Sequence, residues 1–126
     1  MKTTKTVRKA GFTLVEIMIV VAIIGLLAAI AIPNFVRARA TSQANACINN
    51  LRQIDAAINE FALEQGKQTG APAPSLTTDL TPYIKLNSNN GIPGCPAQGT
   101  YTTYSIGATP QVTCSLNTLD PPHKLP

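Results

Sequence analysis

Glu16 is the residue in this sequence whose chemistry most needs an explanation, because it stands inside an apolar run. The stretch KAGFTLVEIMIVVAIIGLLAAIAIPNF, residues 9–35, otherwise has the composition of a membrane-spanning helix. A carboxylate facing lipid is costly, about 2.5–3.5 kcal/mol for Asp at the centre of a helix on insertion scales. An acid in such a segment is therefore expected to have a function and a partner.

A cut between Gly11 and Phe12 would supply that partner, since Phe12 would then carry a free, positively charged α-amine. Glu16 lies four residues further on, about 6 Å along a helix axis. The amine and the carboxylate can pair within one chain, or Glu16 can pair with the Phe12 amine of a neighbouring subunit. An unpaired charge is strongly disfavoured in a low dielectric, so such pairing would set the register between subunits.

The cysteines and the single histidine are the other candidates for chemistry. Because the sequence has no C-x-x-C pair and only one histidine, it predicts no metal site. If the domain lies outside the cytoplasm, Cys95 and Cys114 are expected to form a disulfide, and the alternative is two separately buried thiols. Cys47 is predicted to be a buried structural thiol in a helix. His123, in a proline-rich tail, is predicted to be exposed.

Composition and motifs exclude several classes of function. No Ser-His-Asp set, glycine-rich phosphate loop or metal motif is present, so we predict neither an enzyme nor a cofactor. The net charge is +4, but the ten basic residues include four before Gly11, and the other six balance the six acidic ones. Nucleic-acid binding is therefore not expected, because it requires basic residues on the folded domain. The four leader cations are Lys2, Lys5, Arg8 and Lys9.

The apolar run and the sequence after it predict one long helix over residues 12–65. Residues 12–33 are 22 residues, which span about 33 Å as a helix and match a hydrocarbon core of about 30 Å. Gly25 and Pro33 are the weak points of this helix. Beyond the span, apolar residues recur every three or four positions as far as Phe61, and Gly66 is a helix stop. These positions are Ala44, Cys47, Ile48, Leu51, Ile54, Ile58 and Phe61.

The remaining third of the chain predicts little regular structure. Residues 76–86 are expected to form a short helix with Leu80, Tyr83 and Ile84 facing inward. Residues 100–106 and 112–116 are rich in β-branched and aromatic side chains and predict a hairpin. The fold class is therefore α+β, with one long N-terminal helix packed on a small C-terminal antiparallel hairpin or sheet.

The N-terminal segment closely resembles the class III signal segment of type IV prepilins and of type II secretion pseudopilins. The matching features are the short basic leader, Gly11, Phe12, Glu16 and an apolar stretch that ends at Pro33. The resemblance implies cleavage after Gly11 by a prepilin peptidase, methylation of the Phe12 amine, and assembly of the N-terminal helices into a filament core. It also implies that the stretch from Gly25 to Pro33 can lose helical structure on assembly.

The resemblance further implies a pilin-like organisation. Residues 1–11 would be a cleaved leader, 12–33 a membrane and filament-core helix, and 34–126 a small extracytoplasmic domain. The subunit would start in a bacterial inner membrane, with its N-terminus in the cytoplasm as the flanking charges also predict. Its partners would be membrane lipid, an inner-membrane assembly platform and other subunits of a pilus or pseudopilus. Only Asp120 lies where major pseudopilins bind calcium, so no calcium site is expected.

The alternative is a small secreted or membrane-anchored binding domain. In that case residues 1–31 are a conventional signal peptide, with an A-x-A cleavage site at Ala29-Ile30-Ala31, or residues 12–33 are an uncleaved anchor. Neither version gives Glu16 a role.

Overall fold

The computed structural model describes residues 10–126, so most of the predicted basic leader lies outside the described residues. Within them a 51-residue helix, α1 (Leu14–Glu64), precedes a short 3-10 helix (Thr81–Tyr83) and two strands, β1 (Tyr101–Thr103) and β2 (Val112–Cys114). This architecture confirms the predicted α+β class with one long N-terminal helix. The chain divides into two compact units, Met1–Arg37 and Ala38–Pro126.

The N-terminal part of α1 is apolar on every face. It contains an 18-residue window of mean hydropathy 2.9 in which no residue is buried, long and apolar enough to cross a membrane. Leucine, methionine and alanine, which favour helices, are joined here by isoleucines and valines, whose β-branched side chains are tolerated when packing or lipid supports the helix. The boundaries of α1 agree with the predicted 12–65 to within two residues.

The C-terminal part of α1 carries an apolar stripe that faces the core of its own unit. The fully buried positions recur every three or four residues, as one face of a helix requires. Ile48 and Phe61, also predicted to lie on this stripe, are half-buried. The buried residues of α1 are Ala44, Cys47, Leu51, Ile54, Ala57 and Ile58.

Gly66 ends α1 as the sequence predicts. Its φ is +61°, a left-handed conformation that a residue without a Cβ adopts at little cost. The Lys67 N–H donates to the Ala62 carbonyl at 2.8 Å and the Gly66 N–H to the Leu63 carbonyl at 3.4 Å. This pair of bonds is a Schellman motif, and it satisfies carbonyls that the helix end would otherwise leave without donors.

The helix predicted over residues 76–86 is reduced to a single 3-10 turn. Ile84 follows this turn with φ −115° and ψ 138°, which is extended backbone, so the helix cannot continue. The inward-facing residues are nevertheless placed as predicted, because Leu80 and Ile84 are buried and Tyr83 is half-buried. Tyr83 packs edge-on against Phe61, with ring centroids 6.1 Å apart.

The predicted hairpin is present but short. β1 and β2 pair antiparallel, with Tyr101 opposite Cys114 and Thr103 opposite Val112. Val112 and Cys114 both point into the core, as the two-residue period of a strand predicts. A two-stranded hairpin is only marginally stable by itself, so this part of the molecule depends on its packing and on any cross-links between its loops.

Candidate functional site

The N-terminal part of the described chain presents a continuous apolar surface. Sixteen large apolar side chains from Phe12 to Val36 are at least half exposed, and Phe12 is 88% exposed. Soluble monomers rarely expose apolar patches larger than about 300–600 Å². A surface of this extent therefore indicates that this segment is covered by lipid or by other protein chains.

Thr13 and Glu16 form a capping box at the start of α1. A Glu16 carboxylate oxygen accepts hydrogen bonds from the Thr13 backbone N–H and from its hydroxyl, each at 2.8 Å. In return, the Glu16 N–H donates to the Thr13 hydroxyl oxygen at 3.3 Å. Two backbone donors that the helix start leaves free are thus satisfied reciprocally.

The capping box gives Glu16 a local partner that reasoning from its charge alone missed. Its signature, Thr-x-x-Glu before an apolar run, was visible at residues 13–16. In the uncleaved chain the nitrogen of Phe12 belongs to a peptide bond and carries no charge. The carboxylate is therefore held by neutral donors before any cut after Gly11, and a charged donor would become available only afterwards.

The predicted cleavage junction is accessible. Gly11 and Phe12 are both exposed and precede the first residue of α1. A Cβ built on Gly11 would meet no atom within 4 Å. The described residues therefore leave the backbone at this junction uncovered, and the junction lies outside α1.

Gly25 and Pro33 lie inside α1, which runs through both without interruption. Pro33 has no N–H, so the carbonyl four residues earlier loses its helical hydrogen bond, and Gly25 is a poor helix former. The flexibility predicted for this stretch remains a prediction, since the helix is continuous here.

A second group of reactive side chains meets in the core of the C-terminal unit. We call it the thiol–histidine cluster: Cys47, Cys95, Cys114 and His123, whose Sγ and ring nitrogen atoms all lie within 4.8 Å of one another. α1 supplies Cys47, the loop before β1 supplies Cys95, β2 supplies Cys114, and the C-terminal tail supplies His123. All four are buried, with exposures of 0%, 8%, 1% and 4% in that order.

Hydrogen bonds shape the chemistry of two of these thiols. Burial raises the pKa of Cys47 to about 12, although the Tyr101 hydroxyl donates to its Sγ at 3.6 Å. Burial also raises the pKa of Cys95, but the backbone N–H groups of Ala97 and Gly99, together with the other two thiols, outweigh it and lower this pKa overall. Cys95 is thus the thiol of this pair that more readily becomes a thiolate.

The cluster changes two expectations. His123 was predicted to be exposed, and this was wrong, because its backbone N–H donates to the Leu116 carbonyl at 3.2 Å and the tail turns back over the core. The Cys95–Cys114 disulfide is not formed in the structure, where both residues are free thiols. The position of Cys95 and Cys114 in loop-rich sequence indicates that these two thiols can contact each other. It does not indicate that Cys47 and His123 lie beside them.

No sequence signal could have identified the cluster, because its members are separated by 48, 19 and 9 positions. Metal sites are recognised in sequences by pairs of ligands about two to five residues apart. Here only the tertiary fold brings the four residues together.

Comparison with known proteins connects the N-terminal segment to one family. Residues 7–32 match the family model of the prokaryotic N-terminal methylation motif, and this range contains Gly11, Phe12 and Glu16. The chain is 50% identical over 60 residues to the type IV major pilin protein PilA of Myxococcus xanthus. The aligned region covers 48% of this chain and 27% of that protein. No solved structure matches the chain significantly.

Two further relatives extend the similarity into the C-terminal unit. The type IV major fimbrial protein FimA of Dichelobacter nodosus is 40% identical over 102 residues, 79% of this chain and 65% of that protein. The type II secretion system core protein G of Klebsiella pneumoniae is 29% identical over 113 residues, 83% of this chain and 81% of that protein. The chain spans less than two thirds of the pilins named here. The chain thus carries the prokaryotic N-terminal methylation motif and is similar both to type IV pilins and to a type II secretion system core protein.

Proposed function

We propose that this chain is the precursor of a structural subunit of a type IV pilus-like or type II secretion pseudopilus filament. The observation that carries the proposal is the uncovered apolar surface between Phe12 and Val36, in the same segment as the methylation motif. Such a surface can lie in a bilayer first and be covered by identical helices afterwards. The protein acts by assembling, and it has no catalytic role.

Processing makes the precursor competent to assemble. A prepilin peptidase cuts the exposed Gly11–Phe12 bond on the cytoplasmic side of the inner membrane, and the new Phe12 amine is methylated. The basic residues of the leader hold the N-terminus in the cytoplasm, while the C-terminal unit crosses the membrane. The exposure of both junction residues supports this step.

Cleavage changes the partner of Glu16. In the precursor, the carboxylate caps α1 through the N–H and hydroxyl of Thr13. After cleavage, a charged amine stands one residue before Thr13, and an ion pair replaces a neutral hydrogen bond as the strongest interaction available to the carboxylate. When the helices of neighbouring subunits pack, the Glu16 of one subunit pairs with the Phe12 amine of the next and sets their stagger.

The extraction of the subunit from the membrane involves an inner-membrane assembly platform and the stretch from Gly25 to Pro33. Because this stretch lacks one helical hydrogen bond and contains a glycine, it is the part of the span that most easily loses helical structure. The finished filament is periplasmic or extracellular.

Replacement of Glu16 by glutamine tests this function, because Glu16→Gln retains an oxygen that can cap α1 and removes only the charge. We expect normal cleavage and methylation with a loss of filaments in the sheared fraction of cells. Glu60→Gln, a change of an exposed carboxylate on the same helix, is the matched control and should assemble normally. Normal filaments in the Glu16→Gln strain would contradict the pairing mechanism. Membrane-bound subunits that never assemble, even without substitution, would contradict the function itself.

A further inference from the structure

We propose that the thiol–histidine cluster is a structural zinc site in which Cys47, Cys95, Cys114 and His123 are the four ligands. This site is independent of the filament function, since it lies wholly in the unit Ala38–Pro126 and involves none of the N-terminal residues. It would tie α1 to the loop before β1, to β2 and to the C-terminal tail.

The number, type and spacing of the donor atoms fit zinc. Structural Zn²⁺ is bound by four ligands in a tetrahedron, and three cysteines with one histidine are a common set. With Zn–S bonds of about 2.3 Å, tetrahedral geometry separates neighbouring ligand atoms by roughly 3.6–3.8 Å. In the cluster all the donor atoms lie within 4.8 Å, and Cys95 Sγ is 3.4 Å from His123 Nδ1. Small side-chain rotations would close the four ligands around one ion.

A layer of hydrogen-bond donors surrounds the sulfur atoms. The N–H groups of Ala97 and Gly99 point at Cys95, and the Tyr101 hydroxyl points at Cys47. Tyr101 is held in turn by the side-chain amide of Asn50, at 3.2 Å, and the same amide donates to the Gly94 carbonyl at 3.0 Å. Three thiolates around Zn²⁺ leave a net charge of −1, and donors in this position offset it and orient the ligands.

Gly99 keeps room for the cluster. A Cβ at this position would stand 2.5 Å from Cys114 Sγ and 3.0 Å from a side-chain carbon of Leu116, so any other residue would push Cys114 away. At Gly94, which belongs to the same loop, an added Cβ would meet no atom within 4 Å, so this position carries no such restriction. The close approach of backbone to a thiol is typical of a loop that wraps around a ligand set.

The architecture of the unit explains what the site would contribute. Its regular structure after α1 consists, in the part of the chain that the structure describes, of one 3-10 turn and two three-residue strands. Small domains with so little regular structure are usually stapled by disulfides or by a metal. A disulfide would use two of the four groups and leave a third thiol and an imidazole buried without a role, whereas a metal uses all four.

Binding requires no oxidant or reductant. Zn²⁺ takes the sulfur lone pairs of three thiols and one nitrogen lone pair of neutral His123, and three protons leave to solvent. No electron is transferred, and zinc has no redox chemistry of its own. Zinc binding should therefore weaken steeply as the pH falls, because protons compete for the same thiolates.

Metal analysis of the full chain, purified in detergent with a reductant and without chelator, tests the proposal. We expect one zinc per chain and thiols that react with iodoacetamide only after a chelator is added. When Co²⁺ replaces zinc, the absorption spectrum should show a tetrahedral site with thiolate-to-cobalt charge transfer. His123→Ala should lose stoichiometric zinc. His123→Cys should retain it in a four-thiolate site with stronger charge transfer, a result that a merely packed histidine would not produce.

A matched pair of variants tests the outer layer. Tyr101→Phe removes the hydroxyl that faces Cys47 and should weaken zinc affinity about 10-fold. Tyr104→Phe, on an exposed ring near the same hairpin, should leave zinc affinity unchanged. The proposal is overturned by full-length protein that, purified without reductant, holds a disulfide and no zinc, or by three thiols that react freely without chelator. An octahedral Co²⁺ spectrum overturns it equally.

Discussion

The two parts of α1 are both rich in apolar residues but have opposite environments. Between Leu14 and Val36 its large apolar side chains are at least half exposed, whereas the stripe from Ala44 to Ile58 is buried against the core of its unit. The difference lies in the pattern. An apolar surface on every face must be covered from outside the chain, and a stripe with a three- and four-residue period is covered by the chain itself. One helix therefore serves folding in its C-terminal part and, under the proposed function, assembly in its N-terminal part.

Replacing one leucine by alanine in each part of α1 should have the largest effect and should separate the stability of the C-terminal unit from filament assembly. Leu51→Ala removes a fully buried side chain and should destabilise the C-terminal unit by about 2–5 kcal/mol. Leu26→Ala, at a position that is 67% exposed, should leave that stability unchanged and reduce filament yield instead. Thermal unfolding in detergent measures the first effect, and the filament fraction of cells measures the second. Equal destabilisation by both variants would contradict the division of roles.

Gly99→Ala should have the next largest effect, and it acts within the C-terminal unit alone. The new Cβ would stand 2.5 Å from Cys114 Sγ, and the resulting overpacking should cost about 1–3 kcal/mol of unfolding free energy. Gly94→Ala is the matched control, because it adds the same atom where no neighbour lies within 4 Å. Denaturant unfolding of both variants measures the difference. If Gly99→Ala is as stable as Gly94→Ala, the close approach at Cys114 is not a constraint on the fold.

Asn50→Ala should have a smaller effect. The Asn50 amide joins α1 to the Gly94 carbonyl and to the Tyr101 hydroxyl, so the variant loses two hydrogen bonds between α1 and the segments packed on it. Their loss should destabilise the unit by about 1–2 kcal/mol. Asn49→Ala, at the exposed neighbouring position, should lie within about 0.5 kcal/mol of the unsubstituted chain. An identical midpoint for both variants would mean that the Asn50 bonds contribute nothing.

Thr13→Val should have the smallest effect, and it belongs to the N-terminal part. The change keeps the shape of the side chain and removes the hydroxyl that bonds Glu16, so the first turn of α1 should fray more often. Amide hydrogen exchange in that turn should become about fivefold faster, with no change in the unfolding of the C-terminal unit. Ser42→Ala, at an exposed position in the middle of α1, is the control. Unchanged exchange at the start of α1 would mean that the capping box is not formed in solution.

The features that could be predicted from the sequence are those with local causes. The length of α1 follows from apolar content and period, its end from Gly66, and the hairpin from two runs of β-branched and aromatic residues. Even the capping box has a local signature at Thr13 and Glu16, which an interpretation of Glu16 as a charge in need of a charged partner misses. Each of these elements is determined by residues within a few positions of one another.

The thiol–histidine cluster could not be predicted, because its causes are not local. Cys47 and Cys95 meet only after the loops following α1 return to it, and His123 joins them because its N–H bonds the Leu116 carbonyl. Proline content made the tail look exposed, since proline excludes helix and strand. It does not prevent a tail from packing on a core.

The mass of the mature N-terminus, measured on subunits isolated from the cells that produce them, tests the central claim most directly. We expect a chain that begins at Phe12 and carries one methyl group on its α-amine. A chain that begins at Ile32 would mean that a conventional signal peptidase removes residues 1–31, and an intact leader would mean that the segment is only an anchor. Either result would contradict the claim that the Gly11–Phe12 junction and Glu16 act together in assembly.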